Sequence, residues 1–428
     1  MATARVLLLS FAMLLGGGLL NACTAPLVVQ QEREPRAGAK PAPEDEDDED
    51  DEGPGDGPGS PGAAACGGGA TAKVDTTALD PFFAAQMKAA NVPGLSVAII
   101  GGGKIKWAKG YGLANIAENK PVTPDTLFML ASVSKAVTAV ALMQLIEKHG
   151  MSLDEDVGAR LPFSVRHPSF ASTPITYRML LTHTSSLIDS DHYWSLAGPE
   201  QPALGDSPIP LLDFGRSYVA RRDSWSRSKP GTTYAYSNTG ASLVGLLVET
   251  ISKKNLQDYS KATIFDPLGM SEASWFLRDL DPTHIAMPYE GSQPTPVGHY
   301  GYPDYPAGQL RTSAVQLARF LLMFAKNGEC GQRVLSEASV EAMRTAQVPS
   351  VESTQGLMWY FATKGGTDVV GHNGGDRGVS TDMFVDPTTG SGYVLLSNGS
   401  SNTAGVASQE AAMAAMNDKL MELARTLP

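Results

Sequence analysis

The sequence predicts an α+β fold: an antiparallel β-sheet flanked by helices, with a mainly helical region inserted between its strands. Three observations predict it. Strand patterns lie near both ends of the folded part, "GLSVAIIGGGKIKWAKGYG" early, then "TDVVGHNGG" and "VSTDMFVDPTTGSGYVLLSNGS" late. Helical stretches and turn-rich loops fill the space between. There is no alternation of strand and helix and no internal repeat, so one sheet built from distant segments fits better than a parallel βαβ series. At 428 residues, 42% apolar and 18% charged, the chain has the composition of a globular protein with a substantial core.

The elements follow in order. Arg5 precedes the apolar run "VLLLSFAMLLGGGLL", which is short for a membrane span and ends at "NAC". That is the layout of a secretory signal over residues 1–22. Cys23 after "LLNA" resembles a bacterial lipoprotein cleavage box, although Asn21 departs from the small residue usual there. The resemblance implies a lipidated Cys23, membrane association through that anchor, and export to the cell envelope or periplasm. The alternative is a plain secretion signal with an incidental cysteine.

Residues 23–72 read as a tether. "EDEDDEDDE" (44–52) is nine acids in a row, followed by "GPGDGPGSPGAAACGGGA". Such a stretch holds too little apolar surface to offset the entropy of ordering it. It also dominates the charge. The chain totals −12, but residues 1–72 hold 4 basic and 12 acidic residues, leaving 29 and 33, a net of −4. A nearly neutral folded part implies no nucleic-acid partner. The three cysteines, Cys23, Cys66 and Cys330, argue against a disulfide framework. The seven histidines show no metal-ligand spacing, so neither metal nor cofactor is expected.

Residues 73–428 form the expected catalytic domain. "TALDPFFAAQMKAAN" (77–91) has helical periodicity. The next segment reads as a hairpin turning at Gly101–Gly103; its "GGGK" lacks the spacing and hydroxyl of a phosphate loop. "FMLASVSKAVTAVALMQLIEKHG" (128–150) reads as a buried helix ending at Gly150. Further helices are expected at 240–254 and 313–328. The late strands end in a hairpin around Asp386–Gly392, and a terminal helix closes the chain.

Three short patterns can carry chemistry. Ser132 and Lys135 sit three apart at the start of an apolar helix, on one face. A serine needs a base, and a buried lysine can be one once its pKa falls. A second such pair, Ser226 and Lys229 in "SWSRSKPGTT", lies in a polar loop and reads as surface, so the spacing alone decides nothing. Tyr236 and Asn238, in "YAYSNTG", precede another apolar helix. A phenol beside an ammonium can share base duty, and an amide can hold Lys135 and a substrate carbonyl together. His372, Asn373, Gly374 and Gly375 lie at the end of a predicted strand, where glycine marks close backbone approach. Each pattern also has a bland reading: a capping serine, a turn before a helix, a glycine-rich hairpin.

The ordered set "SVSK" (132–135), "YSN" (236–238) and "HNG" (372–374) resembles the serine hydrolases related to class C β-lactamases. That family includes penicillin-binding DD-peptidases, β-lactamase-fold esterases and D-amino-acid peptidases. "ITYRMLLTHTSSL" and "PGTTYAYSNTGASLVGLLVE" extend the resemblance over roughly residues 75–428. It implies Ser132 as nucleophile, Lys135 and Tyr236 as the base system, Asn238 orienting substrate, and His372 with Gly374 at the pocket edge. The N–H groups of Ser132 and Gly375 would hold the oxyanion.

Two departures matter. His372 stands where class C β-lactamases have lysine; a histidine is charged only below its pKa and would bind a substrate carboxylate less firmly at neutral pH, and a histidine in this place resembles the DD-peptidase and esterase relatives. Ser186, in "LLTHTSSL", stands where glycine is usual, and a positive φ there would strain it. His183 reads as structural. The implied function is an acyl-enzyme hydrolase of an ester or amide: a D-alanyl peptide, a small ester or a β-lactam. The partner is then a small-molecule or peptide substrate. The alternatives are a carboxylesterase and a catalytically silent binding lipoprotein. The four intact residues argue against the silent form, and nothing in the sequence favours an adhesin.

Overall fold

A computed structural model describes residues 74–196, 203–399 and 407–427. The expected signal, tether and lipidated Cys23 lie outside the described residues.

Within this region the sheet is assembled as the strand patterns imply. Strands β1 (Gly94–Gly101), β2 (Lys104–Asn115) and β3 (Lys120–Pro121) come from the N-terminal side. Strands β4 (Tyr360–Lys364), β5 (Thr367–Asp376), β6 (Val379–Val385) and β7 (Gly392–Ser397) come from the C-terminal side. They form a 7-stranded sheet in the order β4-β5-β6-β7-β1-β2-β3, joined where β1 pairs antiparallel with β7.

Each face of the sheet buries a separate apolar layer. Val97, Ile99, Phe384 and Leu395 face helices α1 (Leu79–Ala90) and α5 (Ala407–Thr426), whose Phe83, Met416 and Leu420 close that layer. Ala98, Met383 and Val394 face the inserted region. There the principal helices are α2 (Ser134–His149), α3 (Asn238–Ser252) and α4 (Ala314–Ala325). Twelve of the sixteen residues of α2 are buried, so packing rather than intrinsic propensity holds it. It ends at Gly150 in the left-handed conformation, as the sequence implies.

One expectation about these elements needs correction. The segment 128–150 is not one helix: Leu127–Met129 is a short strand paired with Arg311–Ser313, and Ala131–Val133 is a separate 3-10 turn. The break is set by Leu130, whose N–H donates to Leu310 O at 2.8 Å, and by Ala131, whose φ is +46°. His372 to Gly375 fall in the last five residues of β5, at the end of the strand as its pattern implies. Cys330, in the hairpin Glu329–Arg333, is disulfide-bonded.

Candidate active site

The site forms where α2, α3 and β5 converge. Ser132 sits in the second position of the 3-10 turn, half-buried, with the main helix beginning two residues later. Ala131 before it is held in a region that costs an L-residue about 1 kcal/mol, a local strain placed at the reactive residue. Thr381 Oγ1 on β6 donates to Leu130 O at 2.7 Å and fixes the approach to the turn.

Lys135 is fully buried behind Ser132. Its Nζ lies 3.1 Å from Ser132 Oγ, 2.7 Å from Asn238 Oδ1 and 2.6 Å from Ala307 O. Two of these neighbours, a carbonyl and an amide oxygen, can only accept. A neutral lysine amine therefore gives them its two N–H bonds and turns its lone pair toward the Ser132 hydroxyl. Ala307 reaches this position because α3 carries Gly245, where a Cβ would lie 2.4 Å from Pro306.

Burial lowers Lys135 to about 8, while Asp189, Asp304 and Asp376 oppose the shift. The amine is thus still charged at neutral pH and loses its proton a little above it. Asp189 also sets Asn238: its carboxylate accepts from the N–H of Asn238 at 2.8 Å and of Thr239 at 3.1 Å, at the start of α3. Ser237 caps the same helix, accepting from Gly240 N–H at 2.9 Å.

Tyr236 lies in the extended loop before α3, its ring 4.9 Å from Lys135 Nζ. Burial raises its phenol and a hydrogen bond with Ser132 opposes the rise. The residue is 39% exposed toward the cavity, so water tempers the shift. His183 fixes this tyrosine: its ring packs 4.5 Å from the Tyr236 ring, and its Nδ1 accepts from Ser237 N–H at 3.2 Å. These contacts place His183 behind Tyr236, where it packs on the ring.

On β5, His372 is buried, and its Nδ1 donates to the Asn373 carbonyl at 2.6 Å. A carbonyl only accepts, so Nδ1 carries the proton and Nε2 is left as an acceptor. Burial, then the nearby Lys135 charge, push His372 down to about 3, so it is neutral at physiological pH. Gly374 is required sterically: a Cβ there would lie 2.4 Å from Leu130 O and 2.9 Å from Ser132 N. Strand alternation sends Asn373 to the opposite face from His372, where it accepts from Tyr360 OH at 2.8 Å.

Ser132, Tyr236, His372, Asn373, Gly374 and Gly375 line one cavity of about 620 Å³. Lys135 and Asn238 stand behind Ser132. The structure thus brings the three sequence patterns into one place. Lys229 of the other pair is exposed, and Ser226 N–H donates to Ser186 O at 2.8 Å. What sequence reasoning missed is the carboxylate shell of Asp189, Asp304 and Asp376. Asp304 is buried, accepts from Tyr193 OH at 2.7 Å, and is raised by burial to about 7. No periodicity or spacing marks these acids in the sequence.

Residues 79–417 match the Beta-lactamase family model. The chain belongs to the Beta-lactamase family. Among curated relatives, it is similar to Protein flp of Staphylococcus aureus strain N315, 24% identical over 75% of this chain and 62% of that protein. It is also similar to the unguisins hydrolase ungD' of Aspergillus campestris, at 29% identity over 77% of this chain and 64% of that one. The chain thus spans somewhat under two thirds of the length of these relatives. Among solved structures, it resembles the octameric penicillin-binding protein homologue from Pyrococcus abyssi. That match has a TM-score of 0.66 and 28% identity, over 81% of this chain and 78% of that one.

Proposed function

We propose that the protein is a serine hydrolase that cleaves esters or amides through an acyl-enzyme on Ser132. The observation that supports this best is the placement of the buried Lys135 Nζ, 3.1 Å from Ser132 Oγ with two acceptor-only neighbours, so that the amine, once deprotonated, turns its free electron pair to Ser132. Lys135, coupled to Tyr236, takes the hydroxyl proton as Oγ attacks the carbonyl carbon, and the pair returns it to the leaving alcohol or amine. The two titrate as one unit, so the proton is not assigned to either residue alone. Asn238, with Oδ1 engaged by Lys135, has its Nδ2 donors for a substrate carbonyl. The Ser132 and Gly375 N–H groups serve the developing oxyanion. Water then hydrolyses the acyl-enzyme.

A neutral His372 offers no cation to a substrate carboxylate, which weakens the case for β-lactams and favours an acyl group without a carboxylate at that place. The relative named as an unguisins hydrolase is consistent with hydrolysis. The signal-like leader and tether support a location in the cell envelope or periplasm, anchored through Cys23. Mass spectrometry of the mature N-terminus tests this, and an unmodified residue 23 rules the anchor out.

The catalytic test is a panel of a short-chain ester, a D-Ala-D-Ala peptide and a cephalosporin, on wild type and Ser132→Ala. The expected loss is about 10⁴-fold or more in kcat. Turnover that survives the substitution would sink the mechanism, and absence of both turnover and fluorophosphonate labelling would favour the silent binding protein.

A further inference from the structure

The nucleophile sits beside a break in a helix that its own sequence would continue. Leu130, Val133 and Ser134 are all in the right-handed helical region, and Ala131, a strong helix former, stands among them at φ +46°. Relaxing Ala131 to the same region would extend the helical turns backwards and carry the Ser132 N–H with them. The break has to be held.

Two hydrogen bonds on Leu130 hold it. Its N–H donates to Leu310 O at 2.8 Å, continuing the short strand pair of Leu127–Met129 with Arg311–Ser313. Its carbonyl accepts from Thr381 Oγ1 at 2.7 Å, while Val133 N–H reaches the same oxygen at a longer 3.3 Å. The Leu310 bond joins backbone to backbone and depends on no particular side chain. The Thr381 bond depends on one hydroxyl, on a residue that is 1% exposed.

The sheet register gives this bond its reach. Thr381 lies opposite Gly374 in the β5–β6 pair, with Gly375 the next residue along β5. Cross-strand partners share a face of the sheet. A Cβ on Gly374 would lie 2.4 Å from Leu130 O, 2.4 Å from Thr381 Oγ1 and 2.9 Å from Ser132 N. The missing side chain is the gap in which the bond is made.

The bond therefore joins the two halves of the oxyanion site. The Ser132 N–H belongs to the turn, and the Gly375 N–H belongs to β5. Such donors act only when both are in place before the charge develops.

Resting on the acyl-enzyme reading above, we propose that Thr381 is a positioning residue for the reaction: its hydroxyl holds the break at Ala131 and so sets the Ser132 N–H against the Gly375 N–H. Its proton is spent on Leu130 O, so it takes no part in the transfer between Ser132 and Lys135.

The test compares Thr381→Val and Thr381→Ser in the full chain, on a short-chain para-nitrophenyl ester. Valine keeps the shape and loses the donor, whereas serine keeps the donor. Valine should lower kcat by about 10²-fold, the cost of misplacing a reacting group by about an ångström. KM should stay within about twofold, because the interaction lost is one made in the transition state. Serine should recover kcat to within about threefold of wild type. The bend of the pH profile near 8 should not move, since the base is untouched.

A further variant separates positioning from general support. Glycine adopts a positive φ without strain, so a chain with Ala131→Gly depends less on the tie. In the Thr381→Val background, Ala131→Gly should raise kcat by about threefold or more. Circular dichroism checks that the variants fold, and Thr381→Ala carries the same comparison if valine does not. A folded Thr381→Val with kcat within about twofold of wild type overturns the inference and leaves the hydrolase reading intact. So does a loss confined to KM, or one that neither serine nor Ala131→Gly recovers. Absence of Ser132-dependent turnover by the wild type overturns both.

Discussion

Two serine–lysine pairs in this chain share one spacing and almost nothing else. Ser132 and Lys135 span a 3-10 turn and the start of α2, with the lysine fully buried and 3.1 Å from the serine. Ser226 and Lys229 lie in a loop, with the lysine exposed and the serine's N–H spent on Ser186 O. Both serines have the same intrinsic nucleophilicity, so the difference lies in the lysine's surroundings. Burial without a contacting carboxylate brings Lys135 to about 8, which puts a deprotonated amine within reach beside Ser132.

The widest separation is expected on removing each lysine. Lys135→Met should lower kcat/KM by about 10³-fold or more, because Ser132 loses its base and Asn238 loses its anchor. It should also destabilise the fold, since Ala307 O and Asn238 Oδ1 lose a buried donor at about 1–3 kcal/mol each. Lys229→Met should change kcat/KM by less than about twofold and stability by less than about 0.5 kcal/mol. Steady-state kinetics and urea unfolding measure both. Equal losses from the two substitutions would erase the contrast.

A smaller effect sharpens it. If Lys135 acts as base, kcat/KM on a neutral ester rises with pH, because only the deprotonated amine accepts a proton. The limb should bend near pH 8 and level above it, as a property of the coupled Lys135–Tyr236 pair. Neither catalytic-site histidine adds a step between about pH 5 and 8, since burial holds His372 at about 3 and His183 well below its usual value. Asp304 favours the ammonium form, so Asp304→Asn should move the limb to lower pH, by up to about one unit. A shift upward, or none, means that Lys135 is not the titrating base.

The contrast also shows what the sequence can express. Local pattern revealed the strands at both ends, the buried helix, and the three motifs, because hydrophobic period and glycine placement are local properties. The match of Ser132, Tyr236 and His372 to one cavity followed from their order. The carboxylates around Lys135 were not legible. Asp189, Asp304 and Asp376 come from three separate segments, and only the tertiary packing of those segments brings their charges near one ammonium. The break of the predicted helix at Ala131 was hidden for a similar reason. Alanine is a strong helix former, and its positive φ is imposed by the neighbouring strand and by Leu310.

Ser186 gives the smallest expected effect and tests how far strain around the second pair matters. Its φ is +68°, as its departure from glycine implied, which costs about 1 kcal/mol for a residue with a Cβ. Its side chain offsets that cost, because Oγ donates to Ser228 O at 2.9 Å, while its own carbonyl holds Ser226. Ser186→Gly should therefore leave stability within about 1 kcal/mol, exchanging the hydrogen bond for relief of strain. Ser186→Ala keeps the strain and loses the bond, and should destabilise by about 1 kcal/mol. Chemical denaturation of the two variants separates the terms. If alanine proves as stable as serine, the Ser228 contact contributes nothing, and the loop bearing Ser226 and Lys229 is held by backbone alone.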